Sequence, residues 1–383
     1  MGPDGTSSNS SPAFGIQGMT QGEGENSYTK NSSVQATLMR KILPKFFDVM
    51  KSMTLPDPDG AFRIADLGCS SGPNTVANVE AIIEQVRASY KEEGLGDSVP
   101  EIQVYFQDLP TNDFNTLFKH LFAQPNSEVE TVRNYMSAAV PGSYCDRLFP
   151  KSTINIAMSS FALHWLAQVP DAVRDRESPA YNGGHTDIYR SSLATIQAYA
   201  EQADKDLDNF LAARAHEVAP GGLIFLTFAI RQSEFPYIYE PTIHLQEEVW
   251  NALVLEDVVS AEVRDSYNIP YYFRTLEDVN KQVEKYGSVF EVQKEEVIKL
   301  NDDLSLMGTE NLREAARARV NVNRGTSTGY FEAFFGKTAT DLFYERWEDA
   351  IYEQLLLWQS GQEQVGIKKP KSVDMLALGL RRK

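Results

Sequence analysis

The sequence predicts an α/β fold in which a largely parallel sheet is covered by helices on both faces. Three observations carry this. Apolar runs of strand character recur over 62–67, 102–106, 153–158 and 223–230, and helical periodicity fills the intervals over 75–91, 113–122 and 198–217. The first of these strands runs directly into Asp66-Leu-Gly-Cys-Ser-Ser-Gly-Pro-Asn74, a turn followed by a helix start. Strand–helix alternation of this kind builds parallel βαβ units.

In chain order, residues 1–17 are rich in Gly, Ser, Asn and Pro and read as a flexible tail, with order beginning near Met19. Over 32–53 the apolar positions Val34, Leu38, Ile42, Phe46, Phe47 and Met50 recur at helical spacing and make an amphipathic helix. In the turn after the first strand, Gly68 and Gly72 can take positive φ and let backbone approach a ligand with no Cβ in the way. Pro73 suits the first turn of the next helix. The helix over 198–217 stops before Pro220-Gly-Gly. The stretches 233–284 and 305–336 mix short helical patterns with aromatic turns such as Tyr267-Asn-Ile-Pro-Tyr-Tyr272. They are expected to form a cap over the C-terminal edge of the sheet, where α/β proteins place their ligands. Strands over 289–298 and 373–380 complete the sheet, and 341–359 forms a late helix. The expected organisation is a tail over 1–17, a core with an N-terminal lid segment over 18–232, mostly cap with one core strand over 233–336, and a closing helix and strand over 337–383.

Composition narrows the partners. The chain has 383 residues and a net charge of −17. Nucleic-acid binding calls for a basic excess, and an anionic membrane repels an acidic surface, so neither partner is expected. The two cysteines, Cys69 and Cys145, provide no disulfide framework. No apolar run is long enough for a membrane span and no signal-peptide pattern opens the chain, so the expected location is cytoplasmic. The histidines are scattered and no Cys pair is close, which leaves no zinc pattern.

The glycine turn points to a cofactor. Its spacing is Gly-x-x-x-Gly, so the Gly-x-Gly-x-x-Gly fingerprint that seats a pyrophosphate is absent, and no Gly-Lys-Ser/Thr follows. A nucleoside-type cofactor without a phosphate chain remains, of which S-adenosylmethionine is the commonest on such folds. The alternative is a purely structural turn. A second element agrees: Ile102-Gln-Val-Tyr-Phe-Gln-Asp108 is a strand ending in an acid, which beside a glycine turn can accept both ribose hydroxyls. Asp108 can equally cap the helix that follows.

Together with Asp108-Leu-Pro-Thr-Asn-Asp-Phe-Asn115, Pro141-Gly-Ser-Tyr-Cys-Asp-Arg-Leu-Phe-Pro150, Ser159-Ser-Phe-Ala-Leu-His-Trp-Leu-Ala-Gln-Val-Pro170 and Tyr267-Asn-Ile-Pro270, this turn resembles the plant SABATH methyltransferases. The motifs occur in the family's order, and the resemblance spans Met19 to the C-terminus. It implies a Rossmann-like class I methyltransferase sheet with a helical cap, S-adenosylmethionine as methyl donor, and a homodimer. The family methylates carboxyl groups of salicylate, benzoate, jasmonate and indole-3-acetate, and ring nitrogens in the caffeine pathway. Carried over position by position, the resemblance implies cofactor contacts from Tyr28, Ser32, Asp66, Cys69, Asn74, Asp108, Leu109, Ser143 and Tyr144. Asp108 would take the ribose, Leu109 would pack on adenine, Ser143 would meet the adenine edge and Ser32 the amino-acid end. One departure stands out: Met19-Thr-Gln-Gly22 replaces the family's Met-Lys-Gly-Gly opening. The lid loses a cation, and Gln21 retains hydrogen-bond donors.

For the substrate, the resemblance implies a carboxylate clamp from Gln35 and Trp165, two neutral donors that fix an anion without neutralising it. The residues alone leave Gln35 as a polar helix face and Trp165 as core. His164 borders the substrate or satisfies a wall group. Phe161, Ile243, Tyr272, Asn323 and Thr326 are implied pocket-wall positions. Asn323 and Thr326 depart from the apolar residues common there: they are either solvated loop residues or, if they line the pocket, a polar end that favours an acid with a distal polar group. Asn182, Asp265 and Asn268, with the Tyr267 carbonyl, match positions that hold Mg2+ in some members. The alternative is a hydrogen-bonded network tying cap to core.

The expected reaction is methyl transfer from S-adenosylmethionine to the carboxylate of a small aromatic, indole or oxylipin acid, giving a methyl ester. Such an acid has a pKa of about 4 and is already ionised at neutral pH, so no general base is required. No catalytic residue is therefore expected beyond those that position the reactants. The alternatives are N- or S-methylation on the same scaffold, or a catalytically silent small-molecule binder.

Overall fold

The computed structural model describes residues 18–95, 98–122, 134–188, 190–231, 243–300, 309–362 and 373–383. The expected tail over 1–17 lies outside them, as do parts of the cap over 233–242 and 305–308. The sheet is built from β1 (Ala61–Leu67), β2 (Glu101–Asp108), β3 (Met136–Pro141), β4 (Ile154–Ser160), β5 (Val218–Ile230), β6 (Phe290–Leu300) and β7 (Val373–Arg382). Its order is β3-β2-β1-β4-β5-β7-β6. The first five strands pair parallel, and β7 lies antiparallel between β5 and β6. Strand order reverses between β1 and β4. A crevice opens beyond the carboxyl ends of the strands at such a point.

On one face α1 (Ser33–Met50), α2 (Pro73–Glu92) and α3 (Phe114–Phe122) bury Ile42, Phe46, Val79, Ile83 and Leu117 against Ile64, Val104, Phe106 and Met158. On the other, α4 (Leu193–Glu217) and α7 (Leu276–Lys285) bury Leu207, Phe210, Leu211 and Val283 against Ala65, Leu67, Ile224 and Leu226. Sheet residues of opposite parity serve the two faces, as the period of two requires. The helix starts follow from sequence. Pro73 takes the first position of α2, the Ser192 hydroxyl accepts from the Thr195 N–H to open α4, and Thr275 with Asp278 forms a capping box on α7.

A third apolar cluster makes the cap. Helix α5 (Ile243–Leu255) packs Leu245, Trp250 and Leu253 against Val320, Phe331, Phe343 and Trp347 of α8 (Leu312–Gln359), with α6 (Ala261–Ser266) beside them. Two expectations are corrected here. Strand β3 was not predicted, because Met-Ser-Ala-Ala-Val-Pro is short, small and half-buried and carries no strand periodicity. The short helical patterns over 305–336 are instead one continuous helical stretch from Leu312, and Gly336, at φ 76° and ψ 160°, breaks α8 there and sets off the late helix expected over 341–359.

Candidate active site

A cavity of about 550 Å³ occupies the crevice at the carboxyl ends of the strands. The first four strands and the turns after them deliver residues to it. Gly68 and Ser70 follow β1, Asp108 and Leu109 close β2, Ser143 and Tyr144 follow β3, and Ser160 and Phe161 close β4. The cap closes it through Gln246 of α5 and Asn323, Thr326 and Tyr330 of α8.

The cofactor end is held by backbone. Gly68 sits at φ 81°, and a Cβ there would lie 2.5 Å from the Ala162 Cβ, so only glycine lets the turn pass. The Gly68 and Cys69 N–H groups donate to the Gln107 carbonyl at 2.9 and 3.0 Å, anchoring the turn to β2. Ser70 and Phe161 take φ of 56° and 57°, left-handed conformations that non-glycine residues adopt at a cost, and both face the cavity. That conformation aims the Ser70 N–H at Asp108 Oδ2, 2.7 Å away, while Oδ1 accepts from the Leu109 N–H at 2.7 Å. Burial pushes the Asp108 carboxyl up to about 6 against the pull of those two N–H groups. Each oxygen keeps a further lone-pair direction for a ligand hydroxyl. The Ser70 hydroxyl is buried without a hydrogen-bond partner. These groups fit the ribose of S-adenosylmethionine.

Tyr28, Asp108, Leu109, Ser143 and Tyr144 thus line the cavity, and the remaining expected cofactor residues stand behind its wall. The Asp66 carboxylate accepts from the Thr75 hydroxyl, and burial raises it to about 7, with Asp108 adding in the same direction. The Cys69 thiol is buried and donates to the Ser70 carbonyl at 3.3 Å. Asn74 Nδ2 donates to the Ser32 carbonyl and hydroxyl at 2.8 and 3.0 Å, which pins the N-terminal segment to the start of α2. The lid also closes without the family's lysine. The Thr20 N–H donates to the Gly325 carbonyl at 2.8 Å, the Gln21 side chain to the Thr111 carbonyl, and the Gly22 N–H to Asp113 at 3.3 Å.

Gln35, Phe161, His164 and Trp165, the residues expected to hold the substrate, line the same cavity, although α1 and β4 are far apart in sequence. The turn 267–272 pins this segment: the Leu166 N–H donates to the Pro270 carbonyl at 2.7 Å and the Tyr272 N–H to the His164 carbonyl at 2.9 Å. The Trp165 ring stacks on Tyr330 at 5.9 Å and 5°. Gln35 Oε1 is buried with no partner, so rotating the terminal amide brings its NH2 to the same point. His164 stacks on Phe273, and burial, with Arg274 beside it, lowers its pKa to about 3. It is a neutral wall.

Among the other implied wall residues, Asn323 and Thr326 line the cavity and Tyr272 does not. Tyr272 turns into the core, and its hydroxyl accepts from Arg231 at 2.8 Å. Tyr271 and Phe273, one residue to either side, face the cavity, as alternation along extended backbone dictates. Ile243 opens α5 and its side chain lies outside the described residues. Sequence reasoning missed Ser70, Gln246, Arg319, Ser327 and Tyr330. Only Ser70 lay inside a recognised motif, and the others sit in the segments whose helices were not resolved from the pattern.

Of Asn182, Asp265 and Asn268, the two asparagines bond to each other and Asp265 bonds to Gly184 and Arg264. Asn182 Nδ2 donates to Asn268 Oδ1 at 2.9 Å, Ser191 donates to Asn182 Oδ1, and Asp265 Oδ1 accepts from the Gly184 N–H at 3.0 Å and from Arg264 at 2.6 Å. The Tyr267 N–H caps α6 on the Arg264 carbonyl. An amide N–H pointing inward and a guanidinium on the sole carboxylate do not fit a hard cation. Among the described residues there is no cluster of His, Cys, Asp and Glu able to hold a metal, and no helix long and apolar enough to cross a membrane.

Residues 16–368 match the family described as SAM-dependent carboxyl methyltransferases. The chain is 33% identical to gibberellic acid methyltransferase 2 of Arabidopsis thaliana over 349 residues, 88% of this chain and 89% of that one. It is 35% identical to indole-3-acetate O-methyltransferase 1 of Oryza sativa subsp. japonica over 350 residues, 86% of each. Its backbone is shared with the solved structure of loganic acid methyltransferase with SAH, at a TM-score of 0.82 and 29% identity, covering 95% of this chain and 98% of that one. Agreement of sequence and backbone over nearly the whole length makes this protein a member of the SABATH family of S-adenosylmethionine-dependent carboxyl methyltransferases.

Proposed function

We propose that the chain methylates the carboxylate of a small organic acid held between Gln35 and Trp165, with S-adenosylmethionine bound against Asp108 and Leu109. The observation that carries this is the convergence of Gln35 and Trp165, from α1 and the loop after β4, on one cavity whose other end has an unspent carboxylate and glycine-turn backbone. The bound cofactor supplies an electrophilic methyl. The protein supplies position: two neutral donors orient the carboxylate, Phe161, Tyr271, Phe273 and Tyr330 exclude water, and the lid residues Met19 and Tyr28 complete the wall. Holding reactants at about 3 Å in a dry site is worth several kcal/mol of the barrier, and an anion that is already ionised needs no proton removed. Neutral His164 adds no charge to the clamp.

The acid is of aromatic, indole, oxylipin or terpenoid type, the last suggested by the gibberellic and loganic acid relatives. Two reduced thiols and the absence of disulfides suit a cytosolic setting, and the family resemblance extends the reading to a homodimer. No magnesium is assigned. Incubating the protein with labelled methyl donor and a panel of these acids, amines and thiols tests the reading. Methyl esters as the only labelled products support it. N- or S-methyl products, or SAH binding without turnover on any acid, overturn it.

A further inference from the structure

Helix α8 turns one continuous stripe to the cavity: Arg319, Val322, Asn323, Thr326, Ser327 and Tyr330, the i, i+3, i+4, i+7, i+8 and i+11 positions of a single helical face. Tyr330 stacks on Trp165 and so marks the clamp end. Arg319 lies at the opposite end, about 16 Å back along the axis at about 1.5 Å per residue. Its side chain is only 7% exposed. A guanidinium in such surroundings meets ligand charge through a lower effective dielectric than water offers. The wall between the two ends is polar: the Thr326 hydroxyl, Ser327, and Asn323, whose Oδ1 accepts from Gln246 of α5 at 3.5 Å. Val34, Leu38, Leu166 and Met375 give the cavity its apolar contacts.

The part of a cavity that takes a single-ring acid needs one polar end; apart from the Asp108 end given to the cofactor, this cavity has two, at the clamp and at Arg319. The clamp is neutral, with donors on Gln35 and Trp165. The far end carries the fixed positive charge. A guanidinium has five N–H donors in a planar fork, so engagement with protein acceptors leaves donors for a ligand, and the fork matches paired oxygens.

We propose that Arg319 is a specificity-determining residue that binds a second carboxylate on an elongated acid while the first is presented for methylation at Gln35 and Trp165. The preferred substrate class is then a rigid or fused-ring diacid that spans the stripe, and Asn323 and Thr326 bind oxygens along its length. This rests on the carboxyl-methyltransfer reading of the same cavity.

The test compares two probes that differ only at the far end, biphenyl-4,4′-dicarboxylic acid and biphenyl-4-carboxylic acid, as substrates and, in the presence of SAH, as ligands by calorimetry. The parent enzyme should favour the diacid by about tenfold or more in kcat/KM, the value of one charge-assisted hydrogen bond. The preference should lie in KM, because the far group does not react. In Arg319→Met the diacid-to-monoacid ratio should collapse to about one, and in Arg319→Lys, which keeps charge but loses the fork, it should be intermediate. SAH affinity of each variant reports that the cofactor half is folded. A parent that binds or methylates both acids equally, or binds neither, overturns the role of Arg319 without any variant being made. So does an Arg319→Met enzyme that keeps the parent ratio. If methyl esters still form from other acids in the panel, the family reaction stands and only the diacid assignment falls. If no ester forms from any acid, the underlying reading has failed.

Discussion

Replacing Asp108 by Asn should separate the stability of the cofactor end from its affinity. Burial raises this carboxyl from 3.8 to about 6, so keeping it ionised at neutral pH costs the ligand-free fold about 3 kcal/mol at about 1.4 kcal/mol per pH unit. Asparagine removes that cost. It also turns an NH2 toward either the Ser70 or the Leu109 N–H, each now 2.7 Å from a carboxylate oxygen, and an unsatisfied donor there costs about 1–3 kcal/mol. The two terms nearly cancel, so the thermal midpoint should move by only a few degrees. Affinity has no such compensation. If Asp108 accepts two ribose hydroxyls as proposed, losing that charged acceptor should remove about 3–5 kcal/mol, a drop of about 10²- to 10⁴-fold in SAH affinity. The pH dependence follows from the sign of the shift. Because the folded carboxyl titrates above its unfolded value, the cost is present in full above about pH 6 and disappears as pH falls toward about 4, so ligand-free stability contributed here rises on acidification. Asp66, raised to about 7, acts in the same direction. SAH affinity should move oppositely and weaken below about pH 6 in the parent, and lose that dependence in the variant. Calorimetry and thermal unfolding at about pH 7.5 and about pH 5.5 measure all four quantities. A folded Asp108→Asn protein that binds SAH within about threefold of the parent refutes the reasoning.

Three further outcomes are expected. Trp165→Phe and Gln35→Ala should each raise KM for the best acid by about 5- to 150-fold, equivalent to about 1–3 kcal/mol, and the double variant should be less than additive because both donors serve one anion; parent-like KM in both single variants, measured by radiolabelled methyl transfer, sinks the clamp. Single-turnover rates at saturating acid and cofactor should be flat between about pH 8 and about pH 9, above the range in which Asp108 and Asp66 titrate, because His164, lowered to about 3, and the ionised substrate do not titrate there; a bell-shaped profile that vanishes in His164→Gln contradicts this. Gly68→Ala should lower stability by at least about 1–3 kcal/mol in urea unfolding, since φ is 81° and the new Cβ would meet Ala162 at 2.5 Å, and parent-like stability would show that the turn relaxes freely.

Most of the sheet and the cofactor end were legible because local chemistry fixes them. An apolar strand, a glycine turn and a proline-started helix leave little choice at 61–92, and an acid at the end of β2 is read from the strand itself. What stayed hidden depended on tertiary packing. Residues 318–329 of α8 are rich in β-branched, polar and glycine residues that disfavour a helix in isolation, and the helix persists because Ala315, Ala316, Val320 and Phe331 are buried against α5. With that helix unrecognised, the stripe from Arg319 to Tyr330 had no visible period. Strand β3 escaped for a similar reason: its residues acquire strand character from pairing with β2 over 103–108. At the cofactor end, Asp66 and Asn74 carry the right chemistry, but the hydroxyls of Thr75 and Ser32 claim it, and only geometry separates a wall residue from the one bracing it.

The place of β7 has a consequence for how the protein is made. Residues 373–382 lie between β5 and β6, pairing with 223–230 on one side and 290–300 on the other. A nascent chain emerging from the ribosome therefore holds β5 with a bare edge and β6 with no neighbour until synthesis has passed residue 382. Exposed strand edges invite pairing with other chains, so this interval is one of aggregation risk that a chaperone would be expected to cover. A nonsense mutation between residues 360 and 373 would make the condition permanent, removing the strand that joins β5 to β6 while sparing every residue of the cavity wall but Met375.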